Sequence, residues 1–274
     1  MASRTTQSDR SDSSAGGVQS VVKAVRILDC FSADQPFLTL SQICRETGLP
    51  KSTALNLVRT LEQSNLLMRI EDTQQYQLSY RVMEYSYALS SSLPLIQYAM
   101  PFLEEIQVST GENIYLTSHI DGRVFYLECV YPSIRIGNYS VQGKTLPMHC
   151  TGCGKAMLAY LPDDELQQIV DRRGLPRLTP ATITDADALR EELAATRERG
   201  YALDLEEETA GVKCVAVAIR DGSGYPVGAI SISGTTVSVR DDLVDEYARI
   251  LSRAASVFAS VSRQFPAAQL RGRG

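Results

Sequence analysis

Residues 38–61 read L-T-L-S-Q-I-C-R-E-T-G-L-P-K-S-T-A-L-N-L-V-R-T-L, from Leu38 to Leu61. Two short helical patterns flank a Thr47-Gly48-Leu49-Pro50 corner. Leu40, Ile43 and Cys44 share one face of the first, which Ser41 is placed to cap. Gly48 suits a left-handed C-terminal position, and Pro50 is tolerated where a second helix begins. Ser52 or Thr53 can cap or open that helix, whose Ala54, Leu55, Val58 and Leu61 recur at spacings of three and four. Two helices joined by so tight a corner predict a helix-turn-helix, whose second helix characteristically enters a DNA major groove.

The flanks extend this unit. Val18, Val21, Val25 and Leu28 predict an amphipathic helix running to about Phe31 that completes a three-helix core. Beyond Leu61, Leu66–Ile70 and Tyr76–Leu78 enclose the polar run Glu71–Gln75, which is a hairpin signal. A hairpin directly behind a recognition helix is a wing, able to meet DNA through Arg69, Gln74 or Gln75. Residues 18–79 therefore read as a winged helix-turn-helix. Residues 1–17, rich in Ser, Thr and Asp, are expected to be a disordered tail. Residues 80–93 read as a linker helix, broken by Ser90-Ser91-Ser92 and Pro94.

From Asn113 onward the texture changes. Asn113–Ile120 and Val124–Val130 flank an Asp121-Gly122 turn, and Ile134–Val141 is a further extended candidate. Helical spacing marks Thr151–Tyr160, Asp163–Arg172 and Asp185–Arg199. Strand patterns follow at Tyr201–Leu205, Val212–Arg220 and Val227–Ser233, and Leu243 to Val261 form a closing amphipathic helix. The order predicts an α+β domain over residues 94–263 with a mainly antiparallel sheet. A short flexible tail, 264–274, follows.

Composition narrows the class. The 274 residues are 44% hydrophobic and 22% charged, which is globular. No apolar run reaches the roughly 18 residues of a membrane span, and six cysteines without framework spacing read as reduced thiols in a cytoplasmic protein. The net charge is −5, all of it outside residues 1–80, where eight Lys/Arg balance eight Asp/Glu. DNA affinity would then rest on a few phosphate contacts and on dimerisation.

Catalytic motifs fail on inspection. Gly137 to Thr145 ends like a phosphate loop, but five residues separate its glycines where four are needed. Gly222 to Gly228 misses the dinucleotide fingerprint by one residue and lies between strands. The two histidines, His119 and His149, offer no productive dyad, and Cys150, Cys153 and Cys214 with His149 lack a second Cys-x-x-Cys pair for zinc. The expectation is a non-enzymatic protein needing no cofactor and no metal. A redox- or metal-responsive use of Cys150, Cys153 and Cys214 is the alternative.

Short polar groups instead converge at element ends. Gly152 and Cys153 open a helix whose N–H groups favour an anion. Asp204, Cys214, Ser231 and Ser233 lie on strands, with the two serines on one face. Together they predict a pocket for a small carboxylate-bearing ligand.

These blocks, in this order, resemble the IclR family of bacterial transcription regulators. The N-terminal blocks are Val18-Gln19-Ser20-Val21, Leu38-Thr39-Leu40, Thr47 to Thr53 and Tyr76-Gln77-Leu78. The C-terminal blocks are Gly143 to Thr151, Gly154-Lys155-Ala156, Gly200-Tyr201-Ala202 with Asp204, Gly211-Val212 with Cys214, and Ser231 to Gly234. The resemblance implies a winged helix-turn-helix, a linker helix and a GAF-like effector domain, assembled as a homodimer or dimer of dimers. Effectors would be small organic acids or aromatic compounds held by Gly152, Cys153, Asp204, Val212, Cys214, Ser231 and Ser233. The partner would be double-stranded DNA with a pseudo-palindromic operator, touched by Ser41, Lys51, Ser52, Thr53, Asn56, Arg59, Arg69, Gln74 and Gln75. Two departures stand out. Leu55-Asn56 occupies the place of the family's frequent basic pair, and Cys153 that of a small apolar residue.

Overall fold

The computed structural model describes residues 17–133 and 143–262. The chain divides into two units, residues 1–90 and 91–274. The first contains α1 (Gln19–Leu28), β1 (Leu38–Thr39), α2 (Leu40–Thr47), α3 (Lys51–Gln63), β2 (Leu67–Arg69) and β3 (Gln75–Leu78). Ile27, Ile43, Ala54, Val58 and Leu61 from the three helices meet Leu38, Leu67 and Tyr76 of the strands in one core. The strands order as β1-β3-β2, so the wing is three-stranded.

The corner has a definite chemistry. Gly48 ends α2 at φ +68, a backbone region that side chains disfavour. The Arg26 guanidinium of α1 donates to the Thr47 carbonyl at 2.5 Å, satisfying an acceptor at the C-terminus of α2. At the other end, Thr39 rather than Ser41 is the cap. Its hydroxyl accepts from the Gln42 N–H while the Gln42 side chain accepts from the Thr39 N–H at 2.8 Å, a reciprocal capping box. Ser41 sits exposed one residue inside the helix. Ser52 and Thr53 likewise lie within α3, whose N-cap is Pro50. Thr39→Ala is therefore expected to lower the unfolding free energy of the first unit by about 1 kcal/mol, and Ser41→Ala by well under half of that, in urea titrations.

Helix α4 (Arg81–Ser91) follows the wing, and none of its residues is buried. The second unit runs α5 (Pro94–Thr110), β4 (Asn113–Ile120), β5 (Arg123–Val130), β6 (Thr145–Pro147), α6 (Gly152–Leu158), α7 (Asp163–Arg173), α8 (Ala186–Arg199), β7 (Ala202–Leu205), β8 (Val212–Arg220), β9 (Pro226–Thr235) and α9 (Val244–Ser262). Its strands form one antiparallel sheet ordered β6-β5-β4-β9-β8-β7. The Ile134–Val141 candidate lies outside the described residues. The strand β6 arises from Thr145-Leu146-Pro147, at the end of the rejected phosphate-loop match.

Strand alternation splits two cores. Val215, Val217 and Ile219 of β8 face Leu103 of α5 and Leu251 and Phe258 of α9. Cys214, Ala216 and Ala218, the intervening residues, face α6, α7 and α8 through Met157, Leu166 and Leu193. The second face carries small side chains, and that is what lets α6 lie close to the sheet. No helix among the described residues is long and apolar enough to cross a membrane.

Candidate functional site

In the first unit, the exposed face of α3 presents Lys51, Ser52, Asn56 and Arg59, with Thr53 half-buried beside them. Ala54, Val58 and Leu61 bury the opposite face and fix its direction. Lys51, Arg59 and Arg69 form no ion pair with any described residue, so their charges remain available to an external anion. The wing adds Arg69 on β2 and Gln75 on β3, with Gln74 exposed in the turn before β3. Glu71 and Asp72 stand at its tip, with Asp72 at φ +62. Two carboxylates there oppose a phosphate approach, which leaves Arg69 and the glutamines as the wing's favourable groups. Ser41 is exposed at the start of α2.

The second unit has a partly open cavity of about 450 Å³ between the small-residue face of the sheet and the start of α6. Its lining includes all seven residues expected there: Gly152, Cys153, Asp204, Val212, Cys214, Ser231 and Ser233. Register explains the convergence. Asp204 pairs with Cys214, Cys214 with Ser233, and Ser233 with Asn113, one row across four strands. Two residues along, Ala216 pairs with Ser231 and Ser231 with Tyr115. Glycines bring α6 down onto these rows. A Cβ added at Gly152 would lie 2.9 Å from the Cys214 sulfur, and one at Gly154 would overlap the Met148 backbone. The Thr151 hydroxyl caps α6 by accepting from the Gly154 N–H at 3.2 Å, so one helix-start donor that an anion could have used is occupied.

Ser231 is fully buried, and its hydroxyl has no nitrogen or oxygen partner among the described residues. Its polar neighbours are the thiols of Cys153 and Cys214. A buried hydroxyl left in that condition costs free energy unless a ligand satisfies it. Three tyrosines that the sequence did not single out form an aromatic wall. Tyr115 stands edge-on to Tyr126 at 5.3 Å between ring centroids and to Tyr131 at 6.0 Å. The signal for Tyr115 was its β4 position, two residues from Asn113 and hence on the same face.

The electrostatics run against the expected carboxylate ligand. Glu112, Asp204 and Glu208 line the cavity, with no Lys, Arg or His among its described lining residues. Burial pushes the Asp204 carboxyl up to about 7, even though the Glu207 N–H donates to it at 2.8 Å; the Glu207 charge adds to the rise, and Lys155 opposes it. Lys155 itself, 1% exposed on α6, is ion-paired with the buried Glu207 and lies 3.9 Å from Glu192. Thr179 and Thr182 hold the same segment, their hydroxyls donating to the carbonyls of Glu206 at 2.6 Å and Glu207 at 2.7 Å.

The thiols are poorly suited to sensing. Burial pushes Cys150 up to about 12 and raises Cys153 and Cys214 as well, so all three stay protonated at neutral pH and are weak nucleophiles. No group of three or more His, Cys, Asp or Glu among the described residues could hold a metal. His149 lies away from this cavity and donates Nε2–H to the Pro176 carbonyl at 3.0 Å.

A winged helix-turn-helix unit followed by an antiparallel α+β unit is the architecture of a DNA-binding transcription regulator, and comparison with known proteins identifies the family. Residues 20–70 match the IclR helix-turn-helix domain, and residues 87–260 match the bacterial transcriptional regulator IclR C-terminal domain. The chain belongs to the IclR family: it is a DNA-binding transcriptional regulator and not an enzyme. It is 33% identical over 238 residues to the HTH-type transcriptional regulator XynR of Escherichia coli K12, covering 86% of this chain and 94% of that one. It is 29% identical over 242 residues to the transcriptional repressor IclR of the same strain, covering 88% of each. Among solved structures, an IclR homolog from Microbacterium hydrocarbonoxydans complexed with 4-hydroxybenzoate superposes with a TM-score of 0.77, at 28% identity, over 90% of this chain and all of that one.

Proposed function

We propose that this cytoplasmic regulator reads a pseudo-palindromic operator as a homodimer or dimer of dimers, under the control of a hydroxylated aromatic effector in the cavity of the second unit. The observation that carries the effector assignment is the buried Ser231 hydroxyl, which has no nitrogen or oxygen partner among the described residues, beside a wall of tyrosine rings. An aromatic ring stacks on that wall while its hydroxyl group meets Ser231, Ser233 or Asp204. The 4-hydroxybenzoate in the Microbacterium structure is a compound of this kind. The carboxylates in the lining weigh against a plain organic acid, and a ligand carboxylate would have to bind against a protonated Asp204. Effector binding shifts the regulator between DNA-binding states only through a difference in its affinity for them.

On the DNA side, Lys51 and Arg59 would neutralise phosphates while Asn56 reads a base edge, with Asn favouring adenine N6 and N7. Ser41, Ser52, Thr53, Arg69, Gln74 and Gln75 supply further backbone or groove contacts. Because each module reads few bases, two copies are needed. Lys51→Ala is expected to weaken binding to all sequences and to lower the slope of log K against log salt by about 1. Asn56→Ala is expected to cost about 1–3 kcal/mol of discrimination at one position while leaving the salt slope in place. Fluorescence anisotropy with specific and scrambled duplexes separates the two. Equal behaviour of both variants and wild type would remove α3 from the interface.

A further inference from the structure

The second unit holds another cavity, of about 200 Å³, on a different side of α6, and its electrostatic character is the reverse of the first. Arg123 of β5 and Arg172 and Arg173 of α7 line it, with no carboxylate among its described lining residues. Its floor is aliphatic, formed by Met148, Leu158, Ile169 and Leu189. One carboxylate outside the lining, Asp121 in the β4–β5 turn, anchors two of the arginines. It accepts from Arg172 Nη1 at 2.8 Å and from Arg173 Nη2, while Arg173 Nε donates to the Asp121 carbonyl at 3.0 Å. Arg123 is held separately, by the Thr145 hydroxyl at 3.0 Å and the Thr145 carbonyl at 2.8 Å.

These contacts orient the three guanidiniums without exhausting them. Each has five N–H donors, and each uses only one or two in the bonds above. Three positive charges against one negative leave the rim with a net charge of +2. His149 adds none, since burial lowers its basicity and its Nε2–H is committed to Pro176. A cluster of planar donors at the solvent edge of the cavity, with Arg172 51% exposed, over an aliphatic floor matches a ligand with an anionic head and a short apolar body. An aromatic body fits less well, because the volume is under half that of the tyrosine-walled cavity and His149 is the one aromatic ring in its described lining.

We propose that the cavity lined by Arg123, Arg172 and Arg173 is a second ligand site, which binds a short-chain aliphatic carboxylate. Its carboxylate bridges the guanidiniums of Arg123 and Arg172, and its chain lies on Ile169 and Leu189. The regulator thus has one cavity suited to a hydroxylated ring and another suited to an acid.

Butyrate is the probe, titrated into the full-length protein with methyl-labelled Ile and Leu. The Ile169 methyl resonances are expected to shift saturably. Arg123→Gln and Arg172→Gln, which leave the Arg173–Asp121 anchor intact, are each expected to weaken the apparent affinity by about tenfold. Butyramide, of the same shape but uncharged, is expected to cause no saturable shift, and this arm needs no variant to fold. The absence of a saturable Ile169 shift with butyrate would overturn the assignment. So would a shift that persists with butyramide or at unchanged affinity in both variants.

Discussion

Lys155→Met is expected to lower the unfolding free energy of the second unit by about 3–5 kcal/mol, measured by urea denaturation at neutral pH. Lys155 is 1% exposed, and its ammonium pairs with a glutamate that is buried as well. The ammonium meets Glu207 Oε1, and Oε2 has no hydrogen-bond partner among the described residues. Removing the ammonium strands a buried carboxylate, and that loss exceeds whatever the intact pair contributes, because both ions were desolvated on folding. The control follows from the same physics. In Lys155→Met/Glu207→Leu neither charge remains to be compensated, so most of the stability is expected to return. A double variant as unstable as the single one would mean that packing at position 155, rather than charge, carries the effect. Because Glu207 donates its N–H to Asp204 in the cavity wall, the single variant is also expected to loosen the effector site.

Asp204→Asn is expected to remove a pH dependence. Burial raises the Asp204 carboxyl from its ordinary value of 3.8 to about 7, so between those limits the folded protein retains a proton that the unfolded chain has released. The stability from this group is fully present below pH 3.8 and is lost as pH rises through about 7. A shift of this size amounts to up to about 4 kcal/mol across the interval. The amide is nearly isosteric, keeps the acceptor for the Glu207 N–H and carries no charge at any pH. The variant should therefore gain on the wild type by a few kcal/mol between pH 4 and pH 7, with the difference flat above pH 8. Parallel stability curves would show that Asp204 does not titrate in this range. The same proton bears on ligands: an effector that uses Asp204 as a donor binds more weakly above pH 7, and Asp204→Asn flattens that dependence.

The sequence was informative where local chemistry dictates structure. Gly48 at positive φ and apolar residues at spacings of three and four were enough for the α2–α3 corner. The cap was misplaced at Ser41, although Thr39 suits the role as well. Thr39 is the cap because β1, only two residues long, fixes its extended backbone, and because Gln42 stands three residues on to close the box, whereas Cys44 stands three residues after Ser41. In the cavity, alternation along β9 put Ser231 and Ser233 on one face, and spacing alone was adequate for Asp204 and Cys214. The tyrosine wall was harder to see, since Tyr115 and Tyr126 lie on the two strands of a hairpin and meet only through a register that includes a shift between Leu116 and Thr117. Lys155 could not have been placed by spacing. Nothing local marks a lysine for burial, and its partner is 52 residues away. The arginine cavity escaped notice for the same reason, because Arg172 and Arg173 reach the β4–β5 turn only through their bonds to Asp121, about fifty residues away, while Arg123 is held by Thr145.

The cross-strand row of Asp204, Cys214, Ser233 and Asn113 makes the specificity of the cavity an all-or-none property of strand alignment. Side chains in a strand alternate faces, so slipping β8 or β9 by a single residue would replace every small polar group on that strand's cavity side with Val215, Ile230 or Ile232 and send the polar groups into the opposite core. Such a slipped chain would fill its own ligand site with aliphatic side chains while burying the hydroxyls of Ser231 and Ser233 against α5 and α9. An effector of the proposed kind, satisfying Ser231, would bind only chains in the correct alignment. Its presence during refolding would draw the population toward that alignment by mass action.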